Sequence, residues 1–147
     1  MVCLGNICRS PMAEAIMQAK MKAKGLDWYV ASAGTESYHV GEKAHPGTVK
    51  VCAINDIDAS KHIARRFRRS DFQDYDRIYA LATDVYQEIS SFSTGPVQME
   101  KVTLIMDELH PGKNESVKDP YYGTEQDYHD IFALLSTLCD TIIEKYK

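Results

Sequence analysis

The segment that most restricts how this chain can fold is Cys3-Leu4-Gly5-Asn6-Ile7-Cys8-Arg9-Ser10. It is wedged between the apolar pair Met1-Val2 and Pro11, which opens a run of helix formers from Met12 to about Lys24. A short apolar start, a tight loop and a proline-opened helix together make a strand-to-helix turn. Ser10 is expected to cap that helix, Pro11 suits its first turn, and Gly25 closes it. A turn of this kind belongs to parallel α/β folds, where ligands gather outside the carboxyl ends of the strands at the point where strand order reverses.

The rest of the chain keeps the alternation. Trp28 to Gly34 reads as a buried strand, and the loop through His45-Pro46-Gly47 leads to a helix around Thr48 to Asn55. Asp76 to Ala82 is the next strand, followed by a helix from about Asp84 to Ser91 and a short strand, Val102 to Ile105. A loop with Pro111, Gly112, Pro120 and Gly123 reaches a last helix, whose Ile131, Leu134, Leu135, Leu138, Ile142 and Ile143 fall at helical spacing. Strands alternating with helices predict a parallel sheet covered on both faces, in one domain spanning residues 1–147.

Within the first loop the residue types point to one chemistry. Backbone N–H groups converging at a helix N-terminus make a cradle for a phosphate-sized anion. The same field, with Arg9 nearby, stabilises a thiolate, so Cys3 is expected to act as a nucleophile without a separate base. Arg9 offers a planar fork that holds two phosphate oxygens, a geometry lysine cannot reproduce. Ser10 can donate a hydrogen bond to the Cys3 sulfur, Gly5 lets the backbone turn closely, and the Asn6 side chain can tie the loop to itself. No GxxxxGK[ST] pattern is present, so this is not a nucleotide-binding loop of the kinase or GTPase kind.

Composition excludes several classes. The net charge of −4 argues against a general nucleic-acid binder, and the basic run Lys61, Arg65, Arg66, Arg68 and Arg69 reads as a solvated face. No stretch is apolar enough to span a bilayer. Four sparse cysteines, Cys3, Cys8, Cys52 and Cys139, fit neither a disulfide scaffold nor a zinc site. Cys8 leaves two readings open: a thiol that traps oxidised Cys3 as a disulfide, or a buried packing residue.

Thiolate attack on a phosphate ester needs a proton donor at the leaving oxygen, and Asp119, in Asp119-Pro120-Tyr121-Tyr122, is the candidate. Taken alone, an aspartate before proline is more often a turn residue. Together, however, the segment from Cys3 to Glu14 and the Asp119 to Tyr122 segment resemble the low molecular weight protein tyrosine phosphatases, in order and spacing, over essentially the whole chain. The resemblance implies a three-layer fold: a four-stranded parallel sheet flanked by helices, phosphatase I-like with flavodoxin-like winding, holding no metal or organic cofactor. It assigns Cys3 as nucleophile, Arg9 as phosphate binder, and Asp119 as general acid and then general base. It implies a hydrogen-bond network of Asn6, Ser10, Ser32 and His62 behind the loop. Leu4, Ile7, Tyr38, Tyr121 and Tyr122 match its pocket walls, with His39 at the rim and Cys8 in the loop.

The expected substrates are phosphotyrosine proteins or small aryl phosphates, with inorganic phosphate as product. The expected setting is a cytoplasmic monomer that binds neither nucleic acid nor membrane. Arsenate reductases share the loop but need relay cysteines after the third strand, and none lies between Thr83 and Val102. Protein-arginine phosphatases carry threonine where Ile7 stands and lack the paired tyrosines. A phosphate-binding module without turnover would be expected to have lost Cys3, Arg9 or Asp119. Members of the resembled family also carry several apolar residues before the nucleophile. Here only Met1 and Val2 precede Cys3, so the first strand is expected to be truncated.

Overall fold

The computed structural model describes residues 1–147. Four parallel strands form one sheet: β1 (Val2–Cys3), β2 (Ala33–Gly34), β3 (Ile78–Ala80) and β4 (Val102–Leu104), in the order β2-β1-β3-β4. Strand order reverses at β1, which puts the Cys3 loop at the switch point, as the winding requires.

The helices are α1 (Arg9–Lys24), α2 (Pro46–Ile54), α3 (Asp71–Asp74), α4 (Thr83–Phe92), α5 (Pro96–Met99) and α6 (Glu125–Tyr146). Side chains alternate across the strands, so the sheet divides two cores. Cys3, Tyr79 and Leu81 face the larger one, built from α1, α2 and α6. Val2, Ile78 and Ala80 face the smaller, with Phe72 of α3 and Val85 and Ile89 of α4. In α6 the periodic residues Ile131, Leu135, Leu138, Ile142 and Ile143 are buried as their spacing predicts, and Thr124 and Asp127 close a capping box at its start.

Three expectations are corrected. First, α1 begins at Arg9 rather than after Pro11. Its N-cap is Cys8 without a side-chain cap, because the Ser10 hydroxyl is turned to the Cys3 sulfur instead. Second, the strand read over Trp28 to Gly34 is laddered only at Ala33 and Gly34, which pair with Val2 and Cys3. A strand is defined by its partner, and ahead of the Val2–Ala33 pair the bonds joining this segment to its neighbour run through Met1. The Met1 ammonium donates to the Ala31 carbonyl at 3.0 Å, and Ala33 N–H donates to the Met1 carbonyl at 3.0 Å. Third, the short helices α3 and α5 carry no legible period and were not expected.

Beyond Met1 a hollow of about 450 Å³ opens between the Trp28 and Tyr79 segments, lined by Met17, Met21, Tyr29 and Tyr146 among others. The Met1 ammonium at its floor is buried, and that burial lowers its pKa to about 6. A short apolar extension added before Met1 would run as an extended strand into this hollow and remove the charge from it. Thermal unfolding of the extended and unextended chains is expected to differ by several degrees in favour of the extended one; equal midpoints would refute this reading of the hollow.

Candidate active site

The loop from Cys3 to Ser10 is shaped from behind by one residue. Asn6 is fully buried and adopts φ 59°, a left-handed conformation that asparagine tolerates better than most residues. Its Nδ2 donates to Ser10 Oγ at 2.8 Å and to Ser32 Oγ at 2.9 Å, while its Oδ1 accepts from Arg65 N–H at 3.0 Å. Its carbonyl lies 2.7 Å from His62 Nε2. A carbonyl can only accept, so the His62 proton on that side is fixed on Nε2, and Nδ1 is left facing Glu14 at 3.9 Å. The four residues that the resemblance joined into a network are therefore brought together. The loop also presses on β2: a carbon added at Gly34 would lie 2.7 Å from the Leu4 carbonyl.

The sulfur of Cys3 collects donors. Asn6 N–H points to it at 3.3 Å, and Ser10 Oγ lies at 2.9 Å. Because Ser10 Oγ already accepts from Asn6, its own proton is free to go to the sulfur, which is closer than the Ala33 carbonyl at 3.4 Å. The amides of Gly5, Ile7, Cys8 and Arg9 make no hydrogen bond within the chain and stand ready for an anion.

Arg9 is buried in the first turn of α1. Its Nη1 donates to the Val117 carbonyl at 3.0 Å and its Nη2 lies 3.5 Å from Asp119 Oδ2. Val117 is itself tied to the end of β3, donating to the Leu81 carbonyl at 2.8 Å. Asp119, half exposed, accepts from Tyr121 N–H at 3.0 Å. Residues more than a hundred positions apart thus meet over one cavity of about 230 Å³. Cys3, Arg9 and Asp119 line it, with Leu4 and Ile7 as an apolar side. Tyr38, His39, Tyr121 and Tyr122 form the rim, where the His39 and Tyr121 rings are 5.9 Å apart. A larger hollow of about 560 Å³ lies against β4 and α4, but no cysteine or cation lines it.

Cys8 behaves unlike Cys3. Burial pushes its pKa up to about 12, and its sulfur contacts the Tyr128 hydroxyl at 3.6 Å. Cys52 and Cys139 are buried in α2 and α6, and burial pushes each up to about 12 as well. Sequence reasoning missed three contributors. Arg65, read as part of a solvated basic run, pairs in bidentate fashion with the buried Asp71 at 3.0 and 3.2 Å, and so holds the segment whose amide grips Asn6. His45 and Tyr128 lie beneath the tyrosine rim. The only sequence hint was that Tyr128 continues the apolar stripe of α6 three positions before Ile131.

A model of the low molecular weight phosphotyrosine protein phosphatase family matches residues 1–147. The low molecular weight phosphotyrosine protein phosphatase of Schizosaccharomyces pombe is 37% identical over 137 residues, covering 91% of this chain and 86% of that protein. A crystal structure of a protein tyrosine phosphatase from Entamoeba histolytica with Hepes in its active site superposes with a TM-score of 0.90 at 36% identity, covering 98% of this chain and 92% of the other. The YwlE arginine phosphatase of Bacillus subtilis, in a mutant with a phosphorylated active-site serine, superposes with a TM-score of 0.89 at 27% identity, covering 98% and 91%.

The Asn6 geometry separates two contributions to stability. Asn6→Gly removes three side-chain hydrogen bonds but keeps the positive φ; Asn6→Ala removes them and strains the backbone as well. Urea unfolding is expected to find both variants destabilised, with alanine costing about 1 kcal/mol more than glycine. Equal stability of the two would show that the left-handed conformation is not being enforced.

Proposed function

The chain belongs to the low molecular weight phosphotyrosine protein phosphatase family, and from that premise we propose that it hydrolyses phosphotyrosine and small aryl phosphates through a phosphocysteine intermediate. The observation that carries this is the single cavity in which Cys3, Arg9 and Asp119 converge under aromatic walls.

The Cys3 thiolate attacks phosphorus in line. The P–S bond forms as the P–O bond to the phenol breaks, and Asp119 passes its proton to the departing oxygen. Arg9 and the loop amides hold the equatorial oxygens, where charge must be stabilised throughout. Binding of the phosphoryl group engages the Arg9 charge and frees Asp119 for the leaving oxygen. Asp119, now a carboxylate, then takes a proton from water; the new P–O bond forms, the P–S bond breaks, and inorganic phosphate leaves. Ser10 supports the second step by donating to the returning sulfur.

The arginine-phosphatase reading draws on the likeness to YwlE, but Ile7 and the Tyr121–Tyr122 pair favour a flat aromatic leaving group over a guanidinium. The arsenate-reductase reading lacks a relay, since no cysteine lies between Thr83 and Val102 and both Cys52 and Cys139 are buried. We read the protein as one domain acting as a monomer, because a single chain supplies the whole catalytic set. A reducing, cytoplasmic setting suits a free Cys3 thiolate, and no helix is long and apolar enough to cross a membrane.

Hydrolysis of phosphotyrosine, phosphoarginine and p-nitrophenyl phosphate tests the proposal. Phosphotyrosine is expected to be preferred over phosphoarginine. Cys3→Ser should fall to background, and Asp119→Asn should lose about 10²–10⁴-fold in kcat, least for the good nitrophenolate leaving group. A wild-type protein that binds phosphate yet releases none from any aryl ester would sink it. For Cys8, activity lost to peroxide is expected to return with added thiol in wild type but not in Cys8→Ser; equal recovery would assign Cys8 to packing alone.

A further inference from the structure

Beneath the tyrosine rim lies a cluster that the mechanism above does not use. His45 caps α2, and its Nδ1 accepts from the Gly47 N–H at 3.0 Å. The Tyr128 hydroxyl lies 3.0 Å from the same nitrogen. An amide N–H can only donate, so Nδ1 holds the lone pair and the ring proton sits on Nε2. Across that 3.0 Å the Tyr128 hydroxyl can only donate, sharing the lone pair with the Gly47 amide, and its oxygen also lies 3.6 Å from the Cys8 sulfur. Cys8, Tyr128 and His45 thus form one line of polar contacts.

The rings are as ordered as the hydrogen bonds. His45 stacks on Tyr128, with centroids 5.3 Å apart and planes at 16°, and meets Tyr121 edge-on at 5.5 Å and 63°. Tyr128 is packed so closely on α2 that a carbon added at Gly47 would sit 2.6 Å from its ring. At its other end the cluster reaches the phosphate loop: His45 N–H donates to the Ile7 carbonyl at 2.8 Å, and Thr48 Oγ1 donates to the Cys8 carbonyl at 3.0 Å. A helix cap alone would be better served by asparagine or serine. What only an aromatic side chain supplies here is a platform between the buried Tyr128 and the Tyr121 wall.

We infer that His45 and Tyr128 are positioning residues that fix Tyr121 as the aryl-binding wall and tie its placement to the phosphate loop. They select for an aromatic group on the phosphate without contributing to the grip on the phosphate itself. This rests on the reading of the site as an aryl phosphate slot, but its test does not require turnover. Binding of phenylphosphonate and of inorganic phosphate would be measured by calorimetry on wild type, His45→Asn, Tyr121→Ala and the double variant.

Asparagine keeps the cap to Gly47 and removes the ring. His45→Asn is expected to weaken phenylphosphonate about three- to tenfold, the worth of one aromatic contact, and to leave inorganic phosphate unchanged. In the Tyr121→Ala background it should have no further effect. His45→Ser, also a good cap, gives the same reading should the asparagine variant fold poorly. The inference is overturned if phenylphosphonate binding stays at the wild-type value. It is equally overturned if both ligands weaken together, or if the loss persists without Tyr121. Absence of aryl phosphate hydrolysis in wild type would instead count against the function proposed above and leave this binding comparison intact.

Discussion

Everything at the working end of this molecule hangs on the side chain and backbone of Asn6. It is buried, held at a positive φ, and bonded through every polar group, within its own loop to Cys3 and Ser10 and outside it to Ser32, His62 and Arg65. A loop that must present unpaired amides to an anion cannot use those amides to hold its own shape. The structure meets that requirement by bracing the loop through the Asn6 side chain and through its carbonyls, which accept from His45, Thr35, Glu36 and Thr48, so that the amides facing the ligand stay unspent. Buried polar networks of this kind are favourable only when fully satisfied, because each lost partner leaves a desolvated group behind. Here the Asn6 brace is complete on all sides, and Arg65, which supplies one of its bonds, is locked in turn by the buried Asp71.

The second constraint is that Asp119 must meet Cys3 from a distant part of the chain. The parallel sheet places the β1 and β3 carboxyl ends side by side, and the Leu81–Val117 backbone bond carries the acid loop off the end of β3. Arg9 then spans the gap, with one nitrogen on the Val117 carbonyl and another toward Asp119. Arg9, proposed above to bind the phosphate, thus also tethers the loop that carries Asp119. Side chain and strand ends act together, and neither would align Asp119 alone.

How much of this was legible in the sequence follows from how local each feature is. The Cys3 to Ser10 loop, the apolar stripe of α6 and the strand-helix alternation are written in consecutive or regularly spaced residues, and they stand where expected. The start of α1 was misjudged because Ser10 and Pro11 look like a cap and a first turn. The hydroxyl is instead drawn to the sulfur, a competition between two bonds that only the fold decides. Trp28 to Ser32 has strand composition, yet laddering depends on a neighbour that composition does not describe. His45 and Tyr128 stand 83 positions apart, and Arg65 was hidden in a run of like charges. No period or motif links such pairs before the chain has folded.

The two thiols of the loop show why those long-range partners matter chemically. Cys3 and Cys8 sit on the same short loop, and two thiolates so close together would repel each other. Their surroundings sort them. The Cys3 sulfur receives an N–H from Asn6 and an O–H from Ser10. The Cys8 sulfur lies 3.6 Å from the Tyr128 hydroxyl, and its burial favours the neutral thiol. The Tyr128 hydroxyl also lies 3.0 Å from His45 Nδ1, which accepts from the Gly47 amide. The His45 ring that accepts from this amide also meets Tyr121 edge-on at the mouth of the site, so the start of α2 is joined both to the neighbour of Cys8 and to the aromatic wall.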